Sequence, residues 1–502
     1  MEGCSRLFAT CLSACVILGG CAAASQRSAQ RQWITYEEFG AVGDGVHDDF
    51  KAIVKAHAAA NRLGLPVRAG SGKTYYIGPG DRTAVIKTDV DFGSAQFIID
   101  DVDCERLTSP VFEVRPSASS FKIKGVKSLA AGQMSLDAGL ARSCLVHVMD
   151  STKRVYIRKG NNRNDGVPKQ EYFLLGSDGT VDPGSAIVWD YDRVTSMVAF
   201  PVDEDTLHIT GGIFTTIANQ MSSEYQYHYR GICVKRSNVT ISSMTHYVTG
   251  EFDHGAPYYG FITILEAAYV TVRDCIFTGH KTYYTTGRGG GTVGMGSYDI
   301  TARGSVHINL ECCTQTNSID DKTYWGTFSS NFCKDIRMED CVLSRFDAHM
   351  GVRDVTLKRC TLGYMGVQAV GFGTLLIEDC QIRRPSLVVL RQDYGSFWDG
   401  EVIIRRCTLR PVGEASAVRL IDGKNMGDHD FGYEWKLPSR VIVEGLVIDD
   451  ASVRSKSYKG PSVLSDFGRT SPADCPEIAR SCEGVSLEDV SVTSGKALRL
   501  IH

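Results

Sequence analysis

One local context recurs six times in the second half of the chain, and it constrains the fold more than any other feature. The sequence reads VTVRDCIF around Cys275, INLECCTQ around Cys313, IRMEDCVL around Cys341, VTLKRCTL around Cys360, LLIEDCQI around Cys380 and VIIRRCTL around Cys407. Each copy has an alternating apolar run, a charged pair or similar, Cys, and then more apolar residues. Alternation with period two predicts a strand. The steps from Cys341 to Cys360 and from Cys360 to Cys380 are 19 and 20 residues, and the others are 38, 28 and 27. VTISSMTH before the series and VIVEGLVI and VSLEDVSV after it continue the pattern without cysteine. A unit of about 20 residues with one apolar strand cannot bury its face alone, so it stacks on the next as a solenoid. The same inward position then recurs in every coil. Cysteine, small and weakly polar, suits a ladder there. The competing arrangement, a β-sandwich with coincidental spacing, does not explain six matched contexts. Longer steps are read as coils with loops inserted on one side. Cys475 and Cys482, in ADCPEIARSC, lie outside the ladder, and a local disulfide between them is open.

The remaining features agree with one long all-β domain over residues 33–500. Of 502 residues, 51 are glycine and 14 proline, the usage expected of strands joined by many tight turns. A net charge of −4 gives no case for nucleic-acid binding. Residues 1–24, MEGCSRLFATCLSACVILGGCAAA, carry Arg6 and then an apolar run from Leu7 to Leu18. That run is too short to span a bilayer and predicts a signal peptide. Leu18-Gly19-Gly20-Cys21 resembles a bacterial lipobox, with Cys21 as the lipidation site; an ordinary secretory cleavage near Ala22 to Ala24 is the alternative. Either predicts an exported protein, periplasmic or anchored at a bacterial outer membrane as a lipoprotein. Its membrane contact is then limited to the lipid. Oligomeric state is open.

The stretch FGAVGDGVHDDFKAI, Phe39 to Ile53, resembles the start of the pectate-lyase-like superfamily of secreted right-handed parallel β-helix proteins. That superfamily includes the rhamnogalacturonase and polygalacturonase group, alginate epimerases and phage tailspikes. The resemblance implies a right-handed parallel β-helix with a short N-terminal capping helix, the cap covering residues 36–65. The residues fit such a cap. Gly43 and Gly45 permit a tight turn at positive φ. Asp48 or Asp49 can cap a helix whose face carries Ile53, Ala56 and Ala59. The aspartates are therefore read as structural.

Several apparent motifs fail. SGKT at Ser71 to Thr74 lacks the earlier glycine of a P-loop, since Val67 stands there. GRGGGTVGMG from Gly287 to Gly296 contains GxGxxG without a strand–helix unit, and is read as a flexible inserted loop bordering a groove. Zinc-type cysteine spacing and a GxSxG elbow are missing from the sequence.

Counting from each ladder cysteine predicts where polar residues converge. Offsets of six and eight place Lys281, Tyr283, Asp321, Asp347 and His349 on one side of neighbouring coils, with Gln368 beyond them. Arg345 and Lys322 adjoin them in sequence. FTGHKTYYTTGRGG, NSIDDKTYWGTF and LSRFDAHMGVR are too polar for a coil interior unless fully paired, so the strip is expected to face outward. A strip of cations and aromatic rings suits an acidic sugar chain. The expected catalytic set is His349, Lys281, Arg345, Asp347 and Asp321. The expected substrate-binding set is Lys322, Tyr283, Tyr284, His280, Trp325, His246 and Glu251.

The resemblance implies a carbohydrate-active enzyme on a uronic-acid-containing polysaccharide, and β-elimination is the leading chemistry. His349 or Lys281 would be the base, Arg345 the carboxylate neutraliser, Tyr283 or Tyr284 an acid, and Asp347 an orienting group. A glycoside hydrolase using paired aspartates among Asp320, Asp321 and Asp347 is the first alternative. IDD at Ile319 to Asp321 matches one of the three polygalacturonase motifs loosely, and the NTD and GHG motifs are absent. A non-catalytic carbohydrate-binding solenoid is the second. No cofactor or metal is called for by the sequence, and calcium is left open.

Overall fold

A computed structural model describes residues 32–501 apart from 105–107, 159–164, 224–226, 288–289, 326–327, 413–414, 426–429 and 468–476. The expected leader with Cys21, and Cys475 of the open disulfide, lie outside the described residues.

From Trp33 onward the chain forms one unit, a parallel β-helix. Each coil contributes up to three strands, and each strand pairs in parallel with its counterpart one coil on. Ile262–Leu265, Ala268–Arg273 and Ile276–Phe277 make one coil, followed by Ile300–Arg303, Val306–Glu311 and Thr314–Gln315. The register stacks like on like. Val239, Val270, Ile308, Ile336, Val355, Leu375, Val402 and Val441 pair in succession along one sheet, all at most 1% exposed. This aliphatic column is the repeat unit's shared core.

The predicted cysteine ladder runs beside it. Cys275, Cys313, Cys341, Cys360, Cys380 and Cys407 are buried free thiols. Each Sγ donates to the carbonyl two residues earlier, at 3.1–3.4 Å. The charged residue before most of these cysteines has a specific task. Asp274, Asp340, Arg359, Asp379 and Arg406 have φ between 48° and 54°, forming the left-handed corner that turns one strand into the next. Aspartate tolerates that conformation better than most residues.

The N-terminal cap is the helix Phe50–Leu63, with Phe50, Ile53, Ala56 and Ala60 buried against the first coil. Gly43 and Gly45 take φ of 65° and 77°. Asp49 precedes the helix, but its carboxylate turns back and accepts from Val42 N (2.6 Å) and Gly43 N (3.1 Å). Asp48 accepts from Phe50 N at 3.0 Å. The aspartate cluster thus secures the turn and the helix start.

An insertion that the repeat pattern does not announce interrupts the coils between strands Phe112–Val114 and Leu207–Ile217. It is a four-stranded antiparallel sheet, ordered Phe121–Lys122, Ser196–Pro201, Cys144–Val155, Val167–Leu175. One face has its own core, including Val146, Val148, Phe173 and Met197. The other packs Leu145, Tyr156 and Tyr172 against Phe332, Met350, Phe372 and Tyr394 of the coils. Buried Lys334 fastens the two layers, donating to Glu171 Oε2 at 2.6 Å and to the carbonyls of Ser185 and Ala186.

A candidate sugar-binding cavity

The strand Val342–Lys358 organises the site. Its Phe346 and Ala348 enter the coil interior, while Arg345, Asp347 and His349 alternate with them on the outer side. The outward direction matches expectation, but solvent exposure does not. Arg345 and Asp347 are 1% and 0% exposed because inserted segments cover them. The expectation failed because it treated the outer side of a coil as solvent.

Under that cover lies an ion-pair chain. Asp347 accepts from Arg345 Nη2 at 2.5 Å and from Arg391 Nη1 at 2.8 Å. Arg391 then forks onto Asp393 at 3.0 and 3.2 Å, and Arg158, from the insertion, pairs with the same carboxylate. Burial pushes the Asp347 carboxyl upward, but Arg345 and Arg391 outweigh it and hold the group below its ordinary range. Tyr394 lies against both Arg158 and Arg391, its ring centroid 4.7 and 5.5 Å from the guanidinium carbons. Three guanidiniums share two carboxylates, so the chain carries surplus positive charge.

This chain edges a cavity of about 400 Å³. Arg158, Arg391, His349 and Asn331 line one part, and Tyr259, Tyr298, Trp325 and Arg303 another. Arg303 has no ion-pair partner among the described residues. Trp325 stacks on the far side of Arg345, 4.7 Å from ring centroid to guanidinium carbon. Thr292, Val293 and Gly294 close one wall. They belong to a hairpin of Thr282–Thr286 and Thr292–Gly296, so part of the expected glycine-rich loop is a strand.

His349 is held by two partners. Nδ1 lies 2.7 Å from Asn331 Oδ1, and Nε2 lies 3.4 Å from the Tyr394 hydroxyl. The Asn331 carbonyl only accepts, so Nδ1 carries the proton and Nε2 the lone pair. Burial, reinforced by Arg391, lowers its pKa to about 3. The imidazole is therefore neutral across the ordinary pH range.

The other expected residues divide into groups. Lys281 reaches the Glu251 carbonyl at 3.0 Å and bridges to Tyr324, and it is not among the cavity's lining residues. Asp321 accepts from Thr323 N in the loop before Trp325, and Lys322 is exposed there. Tyr283 is buried at 5%, and Tyr284 on the same hairpin is 71% exposed. His280 is buried and hydrogen-bonded to Glu251 at 3.0 Å; His246 is buried beside it, bonded to Thr216 at 3.0 Å. Burial lowers the His246 pKa well below its ordinary value. For His280, burial pulls downward but Glu251 reverses it, and the pKa is raised. Of the expected residues, Trp325 and His349 line the cavity, and Arg345 and Asp347 lie directly behind it. Sequence reasoning missed Arg158, Arg303, Arg391 and Asp393. The ladder alignment also assumed a constant offset. A two-residue register shift between Leu343 and Arg345 instead pairs Asp347, not His349, with Gln368.

No protein-family model matches the chain. Over 113 residues it is 31% identical to a capsule KL64-specific depolymerase of a Klebsiella phage; the match covers 20% of this chain and only 11% of that protein. The tailspike protein gp49 from Pseudomonas phage LKA1 superposes with a TM-score of 0.52 at 15% identity, covering 91% of this chain and 81% of that one. The Gp54 tailspike of Acinetobacter baumannii bacteriophage AP22, solved in complex with A. baumannii capsular saccharide, gives 0.54 at 10% identity, covering 91% and 70%. The chain has a parallel β-helix fold, shared with these phage tailspikes.

Proposed function

We propose that the chain is a polysaccharide-degrading enzyme that binds an acidic sugar segment in the arginine-lined cavity and cleaves it by β-elimination. One observation carries this reading: a neutral histidine, its Nε2 lone pair met only by the long 3.4 Å contact of the Tyr394 hydroxyl, sits beside guanidiniums in excess over carboxylates. Arg303, with Arg391 behind it, would hold the uronate carboxylate and disperse the charge that develops when the C5 proton leaves. His349 Nε2 would take that proton. The electron pair then forms the C4–C5 double bond and the C4–O4 bond breaks, O4 taking a proton from a wall tyrosine, Tyr259 or Tyr298. Asp347 touches no substrate; it positions Arg391. A bound carboxylate offsets the field of Arg391 and strengthens His349 as a base. The match to a capsule depolymerase and the saccharide-bound tailspike supports a bacterial polysaccharide as substrate.

The hydrolytic alternative has less support. Among the described lining residues the cavity offers one carboxylate, Asp393, and two arginines already hold it. Asp320 is paired with Arg383 at 2.7 Å, and Asp347 is sealed between guanidiniums. Two opposed free carboxylates are what hydrolysis requires.

The test is a panel of acidic capsular and plant polysaccharides, read by ultraviolet absorbance of the unsaturated product and by new reducing ends. Both rising together is expected. Reducing ends alone would establish hydrolysis, and binding without either would leave a carbohydrate-binding solenoid. His349→Ala should lower turnover by about 10²–10⁴-fold with an unchanged circular dichroism spectrum. Export and lipidation at Cys21 belong to the same reading. They rest on the leader, and loss of the lipid label in Cys21→Ala would test them.

A further inference from the structure

Behind the aromatic wall of the cavity, two imidazoles and a carboxylate from three successive coils converge away from solvent. His246 sits in the strand Thr245–Thr249, His280 follows Ile276–Phe277 on the next coil, and Asp299 leads into Ile300–Arg303 on the coil after that. One nitrogen or oxygen from each lies within 4.8 Å of the others. All three residues are at most 1% exposed.

Their remaining atoms are already committed in a telling way. His280 Nδ1 lies 3.0 Å from Glu251 Oε1, and a carboxylate there accepts, which leaves the Nε2 lone pair free. His246 Nε2 is bonded to the Thr216 hydroxyl, which leaves Nδ1, 3.8 Å from Asp299 Oδ1. Both Asp299 oxygens and His246 Nδ1 are buried with no hydrogen-bond partner among the described residues. Asp299 is thus a fully buried carboxyl group with no hydrogen bond among the described residues, an arrangement native proteins avoid. A divalent cation held between the three residues would give the Asp299 oxygens and His246 Nδ1 the partner that they lack. Two nitrogens and one oxygen suit zinc-class ions; calcium takes six to eight oxygens. Bonds of about 2.1 Å need the ligand atoms to close by roughly an ångström, within side-chain reach.

We propose that His246, His280 and Asp299 bind one zinc-class divalent ion, with Glu251 orienting His280, as a staple across three coils. The site is independent of the catalytic reading. Its structural consequence lies in the wall: Trp325 N donates to the His280 carbonyl at 2.6 Å, and Tyr298 adjoins Asp299 in sequence.

The experiment uses the full exported chain purified without chelators. Elemental analysis should find about one zinc-class ion per chain, and a strong chelator should lower Tm by a few degrees, reversed by added Zn²⁺. Asp299→Asn should reduce bound metal at least tenfold, and chelator should no longer move its Tm. Because the chain is rich in cysteine, Co²⁺ loading separates the sources: this site gives weak ligand-field bands without thiolate charge transfer, lost in Asp299→Asn. A wild-type chain with no stoichiometric metal and no Zn²⁺-dependent change in Tm overturns the proposal. So does a thiolate cobalt spectrum, or full metal retention in folded Asp299→Asn. Should Asp299→Asn not fold, the wild-type metal content, chelator shift and cobalt spectrum decide alone.

Discussion

The two sides of the strand Val342–Lys358 are both buried, for opposite reasons. Inward, Phe346 and Ala348 join an apolar column that every coil repeats. Outward, Arg345 and Asp347 are sealed into an ionic chain that runs through Arg391 and Asp393 to Arg158. The inner side is redundant: each rung is small, apolar and flanked by near copies. The outer side occurs once, and removing one member leaves its partner's charge stranded in low dielectric. Equal burial therefore predicts unequal tolerance to change.

The sharpest way to break that comparison is Asp347→Ala. Leaving two buried guanidiniums short of a carboxylate should cost about 3–5 kcal/mol. Chemical denaturation measures it, and a loss no larger than that of a ladder cysteine would erase the distinction drawn here. A triad of intermediate cover should fall between the extremes. His307 joins Asp335 (2.6 Å) and Asp182 (3.2 Å), tying a coil to the insertion. Burial pulls the His307 pKa down, but the two aspartates win and raise it from 6.5 to about 9. The folded state thus holds this proton more tightly than the unfolded chain. The contribution, up to about 3 kcal/mol, is complete below pH 6.5 and lost as pH rises through about 9. The stability difference between wild type and His307→Gln should shrink across that window, and a pH-independent difference would contradict the pairing.

The kinetic counterpart concerns His349. With its pKa near 3, the acid limb of kcat/KM should lie well below the ordinary histidine range. A limb at pH 6.5, the unperturbed value, would remove His349 as the buried base. The smallest effect belongs to the ladder. Cys341→Ala should cost only about 1 kcal/mol, since the rung loses one atom between similar neighbours. Thiol reagents on native protein should modify exposed Cys312 and spare Cys341 and Cys360; labelling of most ladder thiols would show the column to be open.

The inner side was legible in the sequence because a repeat states its own register. Six cysteine contexts located the rungs, and FGAVGDG located the cap. The outer side was legible only where it lay on the rungs. His349 and Trp325 were found because they follow ladder positions or sit in a conspicuous polar stretch. Arg158 was invisible, since it comes from an antiparallel insertion whose contact with residue 393 no local pattern encodes. Arg391 and Asp393 were missed for a related reason: they follow a plainly apolar strand, Ser386–Leu390, and acquire meaning only beneath the cover. The register shift after Leu343 then moved His349 two residues from where counting put it.

The left-handed corners before the cysteines bear on how such a molecule changes length. Each bend turns on a single left-handed residue, such as Asp340 or Asp379, tied only to the next coil: Asp340 to Arg359 and Asp379 to Arg406, each at 2.7 Å. A segment cut from one corner to the next is therefore a modular tile, one that needs a neighbour on each side but no particular neighbour. Duplicating the stretch between residues 341 and 360 would extend the shaft by about 4.8 Å while leaving flanking tiles in phase. Growth and shortening of this architecture by whole turns is built into its bends.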